Sequence, residues 1–210
     1  MPLRASFCNG ENRAQGTGFR VPGKRQESSV LSLWIALGFV VVQRVLELRL
    51  ARKNLAWALA QGAKEYGAEH YFLFFPLHLG WMLGWVIEGS LRHSVSSVWW
   101  LWLLIFLLAQ ALRYWAIRSL GRYWNTRILI VPGAKRVQSG PYRFIPHPNY
   151  VAVGLELFSL PLVFNAWITA SVASVLNAVL LLRVRIPAEE RALREYQQAS
   201  GIQGCDEGLA

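Results

Sequence analysis

Apolar residues in this chain gather into long unbroken blocks rather than recurring at the periods of a half-buried strand or helix. The blocks fall at residues 30–48, 71–87, 95–117, 150–164 and 167–182. About 20 consecutive apolar residues cross a bilayer's hydrocarbon core. The pattern therefore predicts an all-α integral membrane helical bundle of about five transmembrane helices. Only Asn165 and Ala166 separate the last two blocks, which predicts a tight C-terminal helical hairpin. The third block is the strongest: its core, WWLWLLIFLLAQAL, carries no charge, and the tryptophans at its head suit the membrane–water boundary.

The polar segments supply the organisation. Residues 1–29 are Gly-rich and carry Arg4, Arg13, Arg20, Lys24 and Arg25 without an apolar core, so they do not read as a cleavable leader and are expected to be a disordered tail. Residues 49–70 suggest an amphipathic interfacial helix ending near Gly62. Residues 113–143 are basic, with Arg113, Arg118, Arg122, Arg127, Lys135, Arg136 and Arg143. From Arg183 onward the chain reads as a polar amphipathic helix. The division expected is a tail at 1–29, three membrane helices within 30–112, a core at 113–200 and a short tail at 201–210.

A net charge of +10 would suit nucleic-acid binding in a soluble protein, but here it must be read by position. Lys and Arg cluster after the first, third and fifth blocks, while the two short turns hold almost none. The positive-inside rule then places 139–150 and the C-terminus in the cytoplasm and the N-terminus outside. The basic residues at 4–25 run against that topology and carry less weight in a long tail. No nucleic-acid partner is expected. Cys8 and Cys205 lie in the polar tails and show no metal spacing, so neither a metal site nor a disulfide framework is expected.

Some blocks hold residues that lipid does not tolerate. Gln43, Arg44 and Glu47 lie late in the first. Either they face a polar interior, or Arg44 and Glu47 pair on one helix face and snorkel to the interface. Pro76 is expected to kink the second block, and His78 has no partner at metal-ligand spacing. Glu156 sits in an apolar arm where a solvated face is not expected, so a buried partner is expected.

The densest polar chemistry is at 139–150, SGPYRFIPHPNY. Pro146 and Pro148 flank His147 and hold it extended, and Gly140-Pro141 pins the other end. Tyr142, Tyr150 and His147 supply hydroxyls and an imidazole beside Arg143, and the tail adds Arg183, Arg185, Glu189 and Glu190. Such a set suits a ligand that bears a carboxylate together with an amine or a ribose. The alternatives are a plain membrane-surface turn for the loop and a solvated helix face for the two glutamates.

GPYRFIPHPNYVAVGLE followed by RIPAEERAL resembles the core of the isoprenylcysteine carboxyl methyltransferase family, integral-membrane enzymes that use S-adenosyl-L-methionine. The matching positions are Gly140, Tyr142, His147, Pro148, Tyr150, Arg185, Glu189, Glu190 and Leu193. QRVLELRLARKN and GAKEYGAEHY resemble the bacterial branch that methylates alkylpyrones or alkylresorcinols beside type III polyketide synthases. The resemblance implies a cytoplasmic cofactor pocket walled by the loop, the hairpin and the last helix. Gly140, Tyr142, His147, Pro148, Asn149, Tyr150, Glu189 and Glu190 would bind cofactor; His147 and Arg185 would be catalytic. One departure is Pro146, where the family carries a cation that Arg143 or Arg127 would have to replace.

The implied reaction is methyl transfer to the oxygen of a lipophilic acceptor that enters from the bilayer, with membrane lipid as surroundings and a type III polyketide synthase as candidate supplier. A hydroxyl acceptor needs its proton removed, a task for His147, whereas a carboxylate needs no base. Carboxyl methylation of a prenylated cysteine, phospholipid N-methylation, and a non-catalytic scaffold or transporter subunit are the alternatives.

Overall fold

The computed structural model describes residues 23–134 and 137–199. Helix α1 spans Gly23–Ala60, α2 Ala68–Tyr71, α3 Phe74–Arg92, α4 Trp99–Leu120, α5 Pro148–Val163, α6 Trp167–Leu180 and α7 Ile186–Ala199. Four stretches are long and apolar enough to cross a membrane: Val30–Ala60, Ala68–Arg92, Trp99–Tyr123 and Trp167–Gln198. The fifth apolar helix, α5, has 16 residues. At 1.5 Å per residue it reaches only about 24 Å, short of a ~30 Å hydrocarbon core.

Three boundaries differ from the sequence expectation. No breaker interrupts 49–60, so the anticipated interfacial helix is the continuation of α1. Residues 23–29, expected in the disordered tail, are the opening turns of the same helix; the rest of that tail, and 201–210, lie outside the described residues. Pro76 does not kink a span. The chain breaks at Phe72-Leu73, and Pro76 sits in the first turn of α3, where a missing N–H costs nothing.

Two short strands join the helices. β1, Lys64–Tyr66, and β2, Ile128–Ile130, pair antiparallel with Lys64 opposite Ile130. Three-residue strands are too short to leave an alternating signature. Asn54 ties α1 to the same region by donating to the carbonyls of Gly121 (3.2 Å) and Trp124 (2.7 Å), and Asn125 donates to that of Ala51 (3.0 Å).

The hairpin forms as expected. Phe164 to Ala166 turn the chain between α5 and α6, with Asn165 in the left-handed region at φ 58°. Glu88 of α3 accepts from Ile168 N–H (3.1 Å) and from Thr169 N–H and hydroxyl (both 2.8 Å), satisfying donors that the start of α6 leaves open. Beyond α6, one π turn over Leu181–Arg185 leads straight into α7. The tail helix therefore continues the last span without a break rather than forming a separate surface helix.

Below the hairpin turn lies an aromatic core in which Trp81 and Trp85 are buried and Trp85 stacks on Phe164 at 5.4 Å. Pro161 lies inside α5 and has no N–H to give to the carbonyl four residues back, that of Leu157. The indole of Trp81 supplies the bond instead, at 2.9 Å. Trp81→Phe keeps an aromatic ring but removes the indole N–H and strands this buried carbonyl. It should cost about 1–3 kcal/mol in thermal unfolding of the detergent-solubilised protein, and an unchanged midpoint would contradict the substitution of indole for amide.

The intramembrane charges converge. Arg44 pairs with Glu47 (2.5 Å) and with Glu156; Arg113 pairs with the same two carboxylates at 3.1 and 2.5 Å. Gln43 donates to Glu47 at 2.9 Å and to Gln110 at 2.6 Å. Arg44 and Glu47 do pair on one helix face, yet the pair is not an interfacial one, because α4 and α5 close over it. Glu156 and Arg113 are buried to 0% and 2% exposure, so the partner expected for Glu156 is two arginines. His78 Nδ1 donates to the Phe74 carbonyl (2.8 Å), and no metal-holding cluster occurs among the described residues.

Candidate active site

A cavity of about 860 Å³ opens where the ends of α1 and α4, the β1–β2 ribbon, the 139–150 loop and α7 meet. Each wall has a local cause. Gly140 begins a 3₁₀ turn, Gly140–Arg143, at φ 62°. Glycine is needed there for space as well as for φ. A β-carbon would come within 2.0 Å of Ser119 Oγ and 3.0 Å of Trp115 Nε1 on α4. Pro148 is the first residue of α5, and the His147 carbonyl accepts from the N–H groups of Tyr150 (3.1 Å) and Val151 (3.3 Å). The two prolines and these bonds fix the backbone of His147, leaving only its side-chain torsions free.

The side chains form a polar chain across the cavity. Tyr150 donates to Glu189 Oε2 at 2.6 Å, and Arg185 Nε donates to the Tyr150 hydroxyl at 3.2 Å. A second guanidinium nitrogen of Arg185 donates to the Thr126 carbonyl (2.8 Å), which ties the π turn to the segment before β2. His147 Nδ1 faces Glu189 Oε2 at 4.0 Å, and its ring stacks on Tyr150 at 5.2 Å with 12° between planes. Tyr142 lies half-buried, and burial, with the Glu189 charge second, pushes its phenol above the usual range. It is a hydroxyl donor, not a phenolate, at any working pH.

Of the residues singled out in the sequence, Tyr142, His147, Asn149, Tyr150, Arg185 and Glu189 line the cavity. Gly140 and Pro148 shape the frame behind them. Glu190 does not join them: it is exposed and faces Arg194 at 3.7 Å, because neighbouring helical residues point about 100° apart. Pro146 lines the cavity without a charge, and Arg143 turns away, its guanidinium 6.0 Å over Phe144. Arg127, held by Glu65 at 2.8 Å and lying over Tyr71 at 5.0 Å, and Arg122 line the cavity as well.

Trp124, Asn125 and Tyr196 were not legible as site residues. The only hint was the polar triplet Asn125-Thr126-Arg127 wedged between apolar residues. Tyr196 reaches the site from the end of α7, its hydroxyl accepting from Gly133 N–H at 2.6 Å.

A family model described as the isoprenylcysteine carboxyl methyltransferase family matches residues 102–195, which run from α4 into α7 and carry most of the cavity wall. The chain belongs to this family. It is 43% identical over 164 residues to the Uncharacterized protein YpbQ of Bacillus subtilis (strain 168), covering 78% of this chain and 97% of that one. It is 28% identical over 166 residues to an Uncharacterized protein of Haemophilus influenzae, covering 78% and 96%. No solved structure matches significantly. The isoprenylcysteine carboxyl methyltransferase family comprises S-adenosyl-L-methionine-dependent membrane methyltransferases, and the apolar helices here agree with an integral membrane protein.

Proposed function

We propose that the protein transfers a methyl group from S-adenosyl-L-methionine to a hydroxyl oxygen of a lipophilic acceptor, an alkylpyrone or alkylresorcinol, at the cytoplasmic face of the membrane. The observation that carries this reading is a histidine fixed in the wall of a cavity among membrane helices, with a carboxylate beside it. A hydroxyl needs a base, and a base is of no use to an acceptor already ionised.

The donor set fits the cofactor. About 860 Å³ is within the ordinary range for small-molecule sites, ~300–1,000 Å³. Arg127 and Arg185 offer cations to a carboxylate, and Tyr142, Trp124 and His147 offer faces and edges to a heterocycle. Gly140 and Pro148 hold the loop, and Asn149 adds an amide. When bound, S-adenosyl-L-methionine supplies an electrophilic methyl group on a sulfonium. The chain's part is to align the acceptor oxygen, exclude water and accept the proton; alignment alone is worth several orders of magnitude.

In this reading residues 113–200 are the methyltransferase core and the helices within 30–112 hold it in the bilayer. The exposed basic residues Arg49, Arg52, Lys53, Arg118 and Arg122 cluster at the cavity end, which supports a cytoplasmic orientation. The acceptor enters from lipid, because it is too apolar to travel through water, and a type III polyketide synthase would supply it. Carboxyl methylation of a prenylated cysteine is the second reading, favoured by Arg127 and Arg185 as partners for an acidic head.

Incubating the solubilised full-length protein with methyl-labelled S-adenosyl-L-methionine and each acceptor class separates the two. Label on the hydroxyl compounds is expected. Label on prenylcysteine alone would move the assignment to the second reading, and failure to bind the cofactor would remove the enzyme class.

A further inference from the structure

Glu189 Oε2 is the junction of the site. It accepts from the Tyr150 hydroxyl at 2.6 Å and faces His147 Nδ1 at 4.0 Å. Tyr150 is itself held by Arg185 Nε at 3.2 Å, and Arg185 by the Thr126 carbonyl at 2.8 Å. The carboxylate is therefore aimed by residues from α5, the π turn and the segment before β2. We propose that Glu189 is the positioning residue for His147: its carboxylate accepts a hydrogen bond from Nδ1–H of the imidazole and so leaves Nε2 as the nitrogen with a free lone pair for the acceptor hydroxyl. This rests on the hydroxyl-acceptor reading and gives Glu189 a different part from that of a cofactor ligand.

Three features support it. An ionised carboxylate offers about four lone-pair positions, and the Tyr150 bond occupies one. The backbone of His147 is fixed, and the Tyr150 ring stacked at 5.2 Å restricts the imidazole largely to movement in its own plane. Bringing Nδ1 from 4.0 Å to hydrogen-bond length needs about 1 Å of such movement, and catalytic hydrogen bonds are commonly long before substrate binds. Glu190 offers no competing role, since it is 52% exposed and faces Arg194. The other ionisable groups on the cavity wall are Tyr142, Tyr150, Tyr123, Tyr196, Arg122, Arg127 and Arg185. None of them is a second carboxylate, so Glu189 is the anion in the wall that can accept a hydrogen bond from the ring.

The step balances. The acceptor O–H bond breaks toward His147 Nε2, the oxygen forms a bond to the methyl carbon, and the electron pair of the methyl–sulfur bond returns to sulfur. One positive charge passes from the sulfonium to the imidazole, where the Glu189 carboxylate stabilises it until the proton leaves for water.

The test uses the full chain in detergent with Glu189→Gln, Glu189→Asp and His147→Ala. Four quantities are read: the dissociation constant for S-adenosyl-L-methionine, kcat and KM with a hydroxyl acceptor, and the imidazole nitrogen NMR shifts in histidine-labelled protein. The chain has four histidines, and the His147 signal is the one missing in His147→Ala. In Glu189→Gln, kcat should fall on the order of 10²-fold, less than the ~10⁴ of a fully buried triad aspartate, with cofactor affinity within about threefold of wild type. The nitrogen shifts should move from one tautomer to a mixture, and Glu189→Asp should restore part of both.

A Glu189→Gln variant that binds cofactor weakly but keeps kcat would overturn the inference and make Glu189 a cofactor ligand. Unchanged nitrogen shifts with unchanged kcat, in a protein where His147→Ala is inactive, would sink the inference and leave the hydroxyl-acceptor reading standing. Full activity of His147→Ala would sink both.

Discussion

Glu156→Leu should leave the protein barely able to fold. The substitution removes one of two carboxylates from a buried neutral square and leaves Arg44 and Arg113 opposite Glu47 alone. Removing one partner of a buried pair costs about 3–5 kcal/mol, because the remaining charge stays desolvated. Here two cations lose a partner at once, in a protein whose whole stability is expected to be ~5–15 kcal/mol. The measurement is the yield of monodisperse protein in detergent and its thermal midpoint. A quadruple apolar variant, with Arg44→Met, Glu47→Leu, Arg113→Met and Glu156→Leu, should recover most of the loss. The cost lies in broken pairing rather than in missing attraction. A Glu156→Leu protein with a wild-type midpoint would show that water or lipid headgroups reach these arginines.

His147→Ala should lower methyl transfer to a hydroxyl acceptor by about 10²–10⁴-fold, the ordinary contribution of a positioned base. The same variant should keep most of its rate on an acceptor that is already a carboxylate. Initial rates on both acceptors from one preparation make the comparison independent of how much protein is active. A hydroxyl rate within a few-fold of wild type, with cofactor affinity unchanged, would show that the acceptor ionises without help. The fold should survive, since the two prolines and the backbone bonds that set the loop do not involve the imidazole.

The helices were legible because lipid imposes a length that soluble cores do not, and every apolar block became a helix. Glu156 was legible for the same reason: an acid in an apolar arm has to be paired, although its arginines, on α1 and α4, share no sequence spacing with it. The loop 139–150 was legible through its prolines. Contacts that depend on three-dimensional closure were not. Trp124 and Asn125 are cavity residues only because Asn54 clamps their segment to α1. The β1–β2 pairing joins residues far apart in the chain over three positions, too few for any periodicity. The choice between Glu189 and Glu190 depended on the helical phase of α7, and that phase is set upstream, in the π turn.

The π turn acts as a phase shifter in an otherwise continuous rod. Each helical residue advances about 100°, so deleting one residue from Leu181–Arg185 would carry everything downstream into the angular slot of its predecessor. Ile186 would take the place of Arg185, and the bond to Tyr150 would be lost. Glu190, however, would arrive where Glu189 now stands. The tandem acid is thus a vernier: a slip of one notch keeps an anion at the cavity while it discards the arginine.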